Sequence, residues 1–254
     1  MSIESEEDLA GMQAAGRVVA AAIRAMRAQV RPGVSTAELD EVGERVFKRF
    51  GARSGPQLDY GFPGVNCISV NDEAVHGIPG RRRLRAGDLV KLDVTAELGG
   101  YYADACVSVL VTEPGEAPSS ALTSPALALV ACAEQALAEA LGRASAGVAL
   151  NQIGATVERV VAAAGYAVCP ELAGHGIGHK IHEPPLVANY YMDGCAQPLT
   201  EGLVLTIEPI VAAGSGKVRI DRDGWTTRTA DGSLSAHVEH TVVITSGSQL
   251  VLTA

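Results

Sequence analysis

No stretch of this chain runs apolar for the roughly 20 residues that a membrane-spanning helix needs, so it reads as a soluble protein. The N-terminus also lacks the basic-then-apolar order of a secretory signal. Met1-Ser2-Ile3-Glu4-Ser5-Glu6-Glu7-Asp8 is acidic, which makes the cytoplasm the expected location. Paired cysteines are missing too: Cys67, Cys106, Cys132, Cys169 and Cys195 are odd in number and form no C-x-x-C. Neither a disulfide framework nor a structural zinc site is expected, and the five read as reduced thiols. Positive charge is scarce. A formal net charge of -9 opposes stable binding to a DNA or RNA backbone, and the one basic run, Arg81, Arg82, Arg83 and Arg85, reads as a solvated loop. What the chain does have is length: 254 residues suffice for one large domain or two fused halves with a substantial core.

Helical spacing of Ala, Val, Ile and Met predicts a first helix from about Asp8 to Ala28, broken at Pro32-Gly33. Ser35 or Thr36 then caps a second helix with the apolar face Leu39, Val42, Val46 and Phe50, ending near Gly51. The same plan returns later: a helix from about Ser124 to Leu141, a break at Gly147, and another helix to about Ala164 before Gly165. Overlaid, Gly33, Val34, Glu44, Arg45, Val46 and Gly51 fall on Gly147, Val148, Glu158, Arg159, Val160 and Gly165. A slip of one more residue lays Gly87 to Asp93 over Gly202 to Glu208, so that Asp93 and Glu208 each close an apolar strand. Two helices per unit are too few for a solenoid, so the expectation is one domain spanning 1–254, built from duplicated half-domains of about 8–113 and 120–250.

Between Leu89 and Val111 two strands flank Gly99-Gly100, a dipeptide suited to a tight hairpin turn. With those glycines as the loop, Leu98 faces Tyr101, Val94 faces Ala105 and Thr95 faces Asp104. Asp93 and Asp104 then become diagonal neighbours on one face, with backbones about 7–8 Å apart and both carboxylates able to reach one ion. Asp93 stands among Leu89, Val90, Leu92 and Val94, where buried like charges repel unless a cation intervenes. Gly174-His175-Gly176 offers an imidazole on a tightly folding backbone, while Glu208 and Glu239 put acids where apolar packing is expected. Four carboxylates and one neutral imidazole carry a charge that two divalent ions would nearly balance. The oxygen-rich donor set suits manganese, iron(II) or cobalt and lacks the thiolates of structural zinc.

These residues carry a family resemblance. Cys67-Ile68-Ser69-Val70-Asn71-Asp72, His76-Gly77-Ile78-Pro79, Asp93, Asp104, His175-Gly176-Ile177-Gly178, His182-Glu183, Thr206-Ile207-Glu208-Pro209 and Glu239-His240-Thr241 occur in the order found in type I methionine aminopeptidases. The chain resembles their short bacterial form along nearly its whole length. The resemblance implies an α+β pita-bread fold, two pseudo-symmetric halves with helices packed on a curved antiparallel sheet. It implies two divalent ions (manganese, iron(II), cobalt or zinc), with Asp104 and Glu239 bridging, Asp93 on one ion, and His175 and Glu208 on the other. Glu208 would accept a proton, His76 would lie near the scissile amide nitrogen, and His182 would donate to the substrate carbonyl oxygen. His179, His237 and His240 receive no role and read as packed or solvated.

Phe62, Cys67 and Trp225 match positions that line the family's methionine pocket. Asp59 and Ile181 stand where relatives commonly carry aromatic rings, a departure that either widens the pocket or leaves it repacked, with Tyr60 compensating for Asp59. The implied partners are nascent polypeptide N-termini, together with transient, salt-sensitive ribosome contact through Arg81 to Arg85 and Lys217, Arg219 and Arg222. The chain is expected to act as a monomer, without membrane or stable DNA binding. The competing readings are a prolidase or Xaa-Pro aminopeptidase, whose usual large N-terminal domain is not seen, and a non-catalytic pita-bread module, which the retention of all five ligands opposes.

Overall fold

The structure, a computed structural model, describes residues 1–113 and 124–254. The start of the second expected half, at about 120, falls outside the described residues. Serines open the first helices. At α1 (Glu6–Arg27), Ser5 Oγ accepts from the Asp8 N–H at 3.1 Å. At α2 (Thr36–Phe50) a capping box forms, with Ser35 Oγ accepting from the Glu38 N–H at 3.2 Å and the Glu38 carboxylate accepting from the Ser35 N–H at 2.8 Å. Gly51, at φ 70°, ends α2 in the left-handed region. Leu39 and Phe47 are the buried apolar side chains of α2, with Val42 and Val46 partly buried. Phe50, expected on that face, is 47% exposed, because it occupies the last residue of the helix before Gly51 redirects the chain. A short α3 (Gly55–Tyr60), capped by Ser54, was not anticipated.

In the second half, α4 (Pro125–Arg143) and α5 (Asn151–Ala163) pack on each other. By length and composition α4 alone among the described helices meets the criterion for crossing a membrane. It nevertheless buries Leu129, Val130, Ala133, Ala136, Leu137 and Ala140 in a core shared with α5 and the sheet, and Glu134, Glu139 and Arg143 interrupt it.

Nine strands form the main antiparallel sheet: β1 (Arg53–Ser54), β2 (Cys67–Val70), β3 (Leu89–Leu98), β4 (Tyr101–Leu110), β5 (Ala173–Gly176), β6 (Glu183–Ala188), β7 (Val204–Ile207), β8 (Glu239–Val243) and β9 (Leu250–Val251). Their order is β1-β3-β4-β8-β7-β5-β6, with β2 also on β3 and β9 on β8. The hairpin register is the one the glycines predict: Leu98 faces Tyr101, Thr95 faces Asp104 and Val94 faces Ala105. Gly99 and Gly100 have φ of 63° and 91°, as a type I′ turn requires.

Alternation along these strands separates two environments. Val90, Leu92, Val94, Ala96, Ala103 and Ala105 face a core with α1 and α2. Leu205, Ile207, Val242 and Ile244 join the core under α4 and α5. Asp93, Thr95, Asp104 and Glu239, on the opposite side of the same strands, line the cleft. β5 runs between β6 and β7 in very close quarters: a Cβ on Gly174 would lie 2.6 Å from Thr206 O, and one on Gly176 would lie 2.2 Å from Pro184 O. The glycines flanking His175 are thus demanded by neighbouring backbone. Gly176→Ala should force these strands apart, lowering stability by about 1–3 kcal/mol in urea denaturation and reducing the metal retained after dialysis.

Candidate functional site

Sheet register gathers the acids. Partner residues Cys67, Asp93, Cys106 and Glu239 form one row across β2, β3, β4 and β8, and directly opposed residues of an antiparallel sheet point to the same side. Asp104, two residues before Cys106, shares that side. Thr241 of β8 opposes Thr206 of β7, and Glu208 follows Thr206 by two, just past the end of its strand. The Thr241 hydroxyl anchors the arrangement by accepting from the Asp104 N–H at 2.9 Å and donating to the Asp104 carbonyl at 2.7 Å.

His175 enters from β5. Its N–H donates to Thr206 Oγ1 at 3.0 Å, and its Nδ1 lies 2.9 Å from Gly176 O. A carbonyl oxygen can only accept, so Nδ1 carries the hydrogen and Nε2 keeps its lone pair. Donor atoms of Asp104, His175 and Glu239 lie within 4.8 Å of one another, as do those of Glu208, His237 and Glu239. Asp93 lines the same cleft, close enough to Asp104 and Glu208 for their charges to raise its carboxyl. Asp104 Oδ1, Glu239 Oε1 and both ring nitrogens of His237 are buried without a hydrogen-bond partner.

The electrostatics follow from this crowding. Burial raises all four carboxyls: Asp104 to about 6, Glu208 to about 8, and Asp93 and Glu239 well above the ordinary range, with repulsion from neighbouring acids adding to the last two. Burial lowers His76 to about 4, and His175 and His237 to about 3. These rings are neutral near pH 7 and available as lone-pair donors. Buried acids with unpartnered oxygens beside neutral imidazoles fit a divalent cation, which would relieve both the repulsion and the unmade hydrogen bonds.

The cleft itself has a volume of about 400 Å³. His76 projects into it from a left-handed backbone, φ 58°, a conformation costly for a non-glycine residue and found at sites that over-determine it. His182 also lines the cleft, its ring centroid 4.2 Å from that of His175. Phe62, Cys67 and Trp225 are brought together as expected, with Phe62 and Trp225 in edge contact at 5.3 Å. Ile181 and Pro56 complete the apolar lining.

Asp59 is not part of that lining. Its carboxylate accepts from the Tyr102 hydroxyl at 2.9 Å and the Ile181 N–H at 3.2 Å, tying α3 to the segment that carries His182. The ring in the cleft is that of Tyr60, whose hydroxyl lies 2.6 Å from His182 Nδ1. A tyrosine donating there leaves the imidazole proton on Nε2. Tyr60 was read only as a pocket ring, and this contact spans two segments far apart in sequence. His179 and His240 bond elsewhere, to Gly100 O and Thr253 Oγ1. His237, expected to be packed or solvated without a role, instead lines the cleft. Two-residue strand spacing from Glu239 was the available signal.

On folding, Glu208 moves from 4.5 to about 8 and Asp104 from 3.8 to about 6. Such acids leave stability intact below their unfolded values. They erode it as pH rises toward the folded values, because the unfolded chain sheds its protons first. The buried histidines, lowered from 6.5, act in the opposite sense up to that value. Chelator-stripped protein should therefore lose thermal stability between about pH 6.5 and about pH 8, and saturating divalent metal should flatten that slope in a differential scanning calorimetry series. A slope of opposite sign would contradict the crowded-acid reading.

With this geometry in place, comparison with known proteins is direct. The sequence profile of metallopeptidase family M24 matches residues 10–246. Methionine aminopeptidase 2 of Bacillus subtilis (strain 168) is 40% identical over 255 aligned positions, covering 100% of this chain and 99% of the relative. The crystal structure of methionine aminopeptidase from Thermotoga maritima superimposes with a TM-score of 0.92 at 32% identity, covering 100% of this chain and 99% of that one. Prolidase from Pyrococcus furiosus shares the fold, with a TM-score of 0.76 at 22% identity, but only 65% of its chain is covered. The curved antiparallel sheet with its helices is thus the pita-bread fold, and the chain belongs to metallopeptidase family M24, among the methionine aminopeptidases.

Proposed function

We propose that this chain is an aminopeptidase that removes N-terminal methionine from polypeptides whose second residue is small, using two divalent ions held by Asp93, Asp104, His175, Glu208 and Glu239. The observation that carries the proposal is the convergence of these five side chains in one cleft with the apolar residues Phe62, Cys67 and Trp225. Full-length similarity to proteins named methionine aminopeptidase favours this over an Xaa-Pro peptidase, whose relatives match in fold alone. Glu239 belongs to both donor groups, which supports a bridging role for it, shared with Asp104. Asp93 would hold one ion, and His175 with Glu208 the other. The donor chemistry suits manganese, iron(II), cobalt or zinc.

When bound, the ions supply Lewis acidity toward the scissile carbonyl and lower the pKa of water. The protein's own groups do the rest. Glu208 accepts the proton released as water attacks. His182, held by Tyr60, presents Nε2–H to the carbonyl oxygen as negative charge develops. His76 stands at the departing nitrogen, and the rings of Phe62 and Trp225 receive the methionine side chain. His76 and His182 restrict the space beyond the scissile bond, which excludes bulky second residues. The enzyme acts as a cytoplasmic monomer on nascent polypeptide N-termini. Ribosome contact falls to the Arg81–Arg85 run and the group of Lys217, Arg219 and Arg222, where Arg82 pairs with Glu73, Arg83 with Glu38 and Arg219 with Asp221.

Two measurements test the proposal. Asp104→Ala should abolish peptidase activity and reduce bound metal; near-normal turnover at full occupancy would refute the assignment. In metal-reconstituted assays, Met-Ala and Met-Ser peptides should be cleaved and Met-Leu and Met-Lys peptides should be nearly inert. Each buried methylene is worth about 0.8 kcal/mol. Replacing the first methionine by alanine, which removes most of that side chain, should therefore lower kcat/KM by about one to three factors of ten. Leu-Ala peptides should react slowly, and a preference for Xaa-Pro bonds would overturn the reading.

A further inference from the structure

His237 is 3% exposed, borders the cleft, and has no hydrogen-bond partner at either ring nitrogen. A buried imidazole left wholly unpaired is costly. Nothing holds the ring there by side-chain bonding, yet its backbone is held firmly: the Ser108 hydroxyl accepts from the His237 N–H at 3.0 Å and donates to the His237 carbonyl at 2.8 Å. This repeats the way Thr241 fixes Asp104. Two-residue spacing puts the ring on the same side as Glu239, and its Nε2 lies 3.7 Å from Glu239 Oε2.

That separation is too long for a hydrogen bond. It is, however, the spacing of two donor atoms that each sit about 2.1 Å from one shared ion. Glu208 supplies the third member of the group, with donor atoms of all three residues within 4.8 Å of one another.

We propose that His237 is a sixth protein ligand of the metal centre, binding through Nε2 the ion held by Glu208 and Glu239. This rests on the dimetal reading above and extends it. Coordination would satisfy one orphaned nitrogen and fix the ring as its Nδ1–H tautomer. It also gives the centre a second imidazole beside His175, shifting preference from manganese toward cobalt, zinc and iron(II), which imidazole suits better than manganese.

The test is cobalt(II) titration of chelator-stripped protein, followed by calorimetry and visible absorption, on the unaltered chain, His237→Gln and Asp104→Ala. His237→Gln should bind one of two cobalt ions about ten-fold or more weakly with a changed absorption band, leave the other ion unaffected, and lose less affinity for manganese. X-ray absorption on the fully loaded unaltered protein should count an average of one imidazole per cobalt, a readout independent of how well any variant folds. Half an imidazole per cobalt, or a His237→Gln titration superimposing on the unaltered one, would overturn the proposal, including where KM for methionine peptides rises because the ring touches substrate instead. If Asp104→Ala loses cobalt while His237→Gln does not, only the sixth ligand fails. If Asp104→Ala also binds normally, the dimetal reading fails with it.

Discussion

Repulsion among four carboxyls on one face of one sheet is the constraint around which this molecule is organised. Asp93, Asp104, Glu208 and Glu239 lie where burial alone raises their proton affinity, and repulsion from neighbouring acids adds to it at Asp93, Glu208 and Glu239. A fold tolerates such a cluster only if the rest of its framework is rigid enough to keep the acids from separating. Backbone clamps by Thr241 and Ser108, the close approach of Gly174 and Gly176 to neighbouring strands, and two helix-covered cores behind the sheet supply that rigidity. A cation then converts the repulsion into coordination.

The division of labour between sheet faces explains how the site and the stability of the fold coexist. Strand alternation sends Leu92 and Val94 into the core with α1 and α2, while Asp93 between them points to the cleft. The same alternation separates Ile207 and Val238 from Glu208 and Glu239 beside them. Because one-residue slippage would exchange the two sets, the apolar cores fix the register that brings the donors together.

Segments outside the sheet centre form part of the cleft wall. The short α3 carries Asp59 and Tyr60, which reach across to the strand-connecting segment at Ile181 and His182. Asp59, an acid in place of a ring, acts as a strut there, and Tyr60 takes both the cleft position and the contact to His182. Phe62, Trp225 and Ile181 line the cleft beside it.

Much of this was legible in the sequence because it is local. Caps at Ser35, the helix stop at Gly51, and the Gly99-Gly100 turn are set by a few adjacent residues, and the turn alone fixed the register that makes Asp93 and Asp104 neighbours. Acids interrupting apolar strands marked Glu208 and Glu239 as residues needing a partner. What tertiary structure decided depends on distant contacts: Phe50 lying at the exposed end of its helix, Asp59 and Tyr60 meeting the segment at His182, and His237 entering the cleft with no bonded partner. Periodicity says which side of a strand a residue occupies. Only the packing of one segment on another decides whether that side is solvent, core or the wall of a cleft.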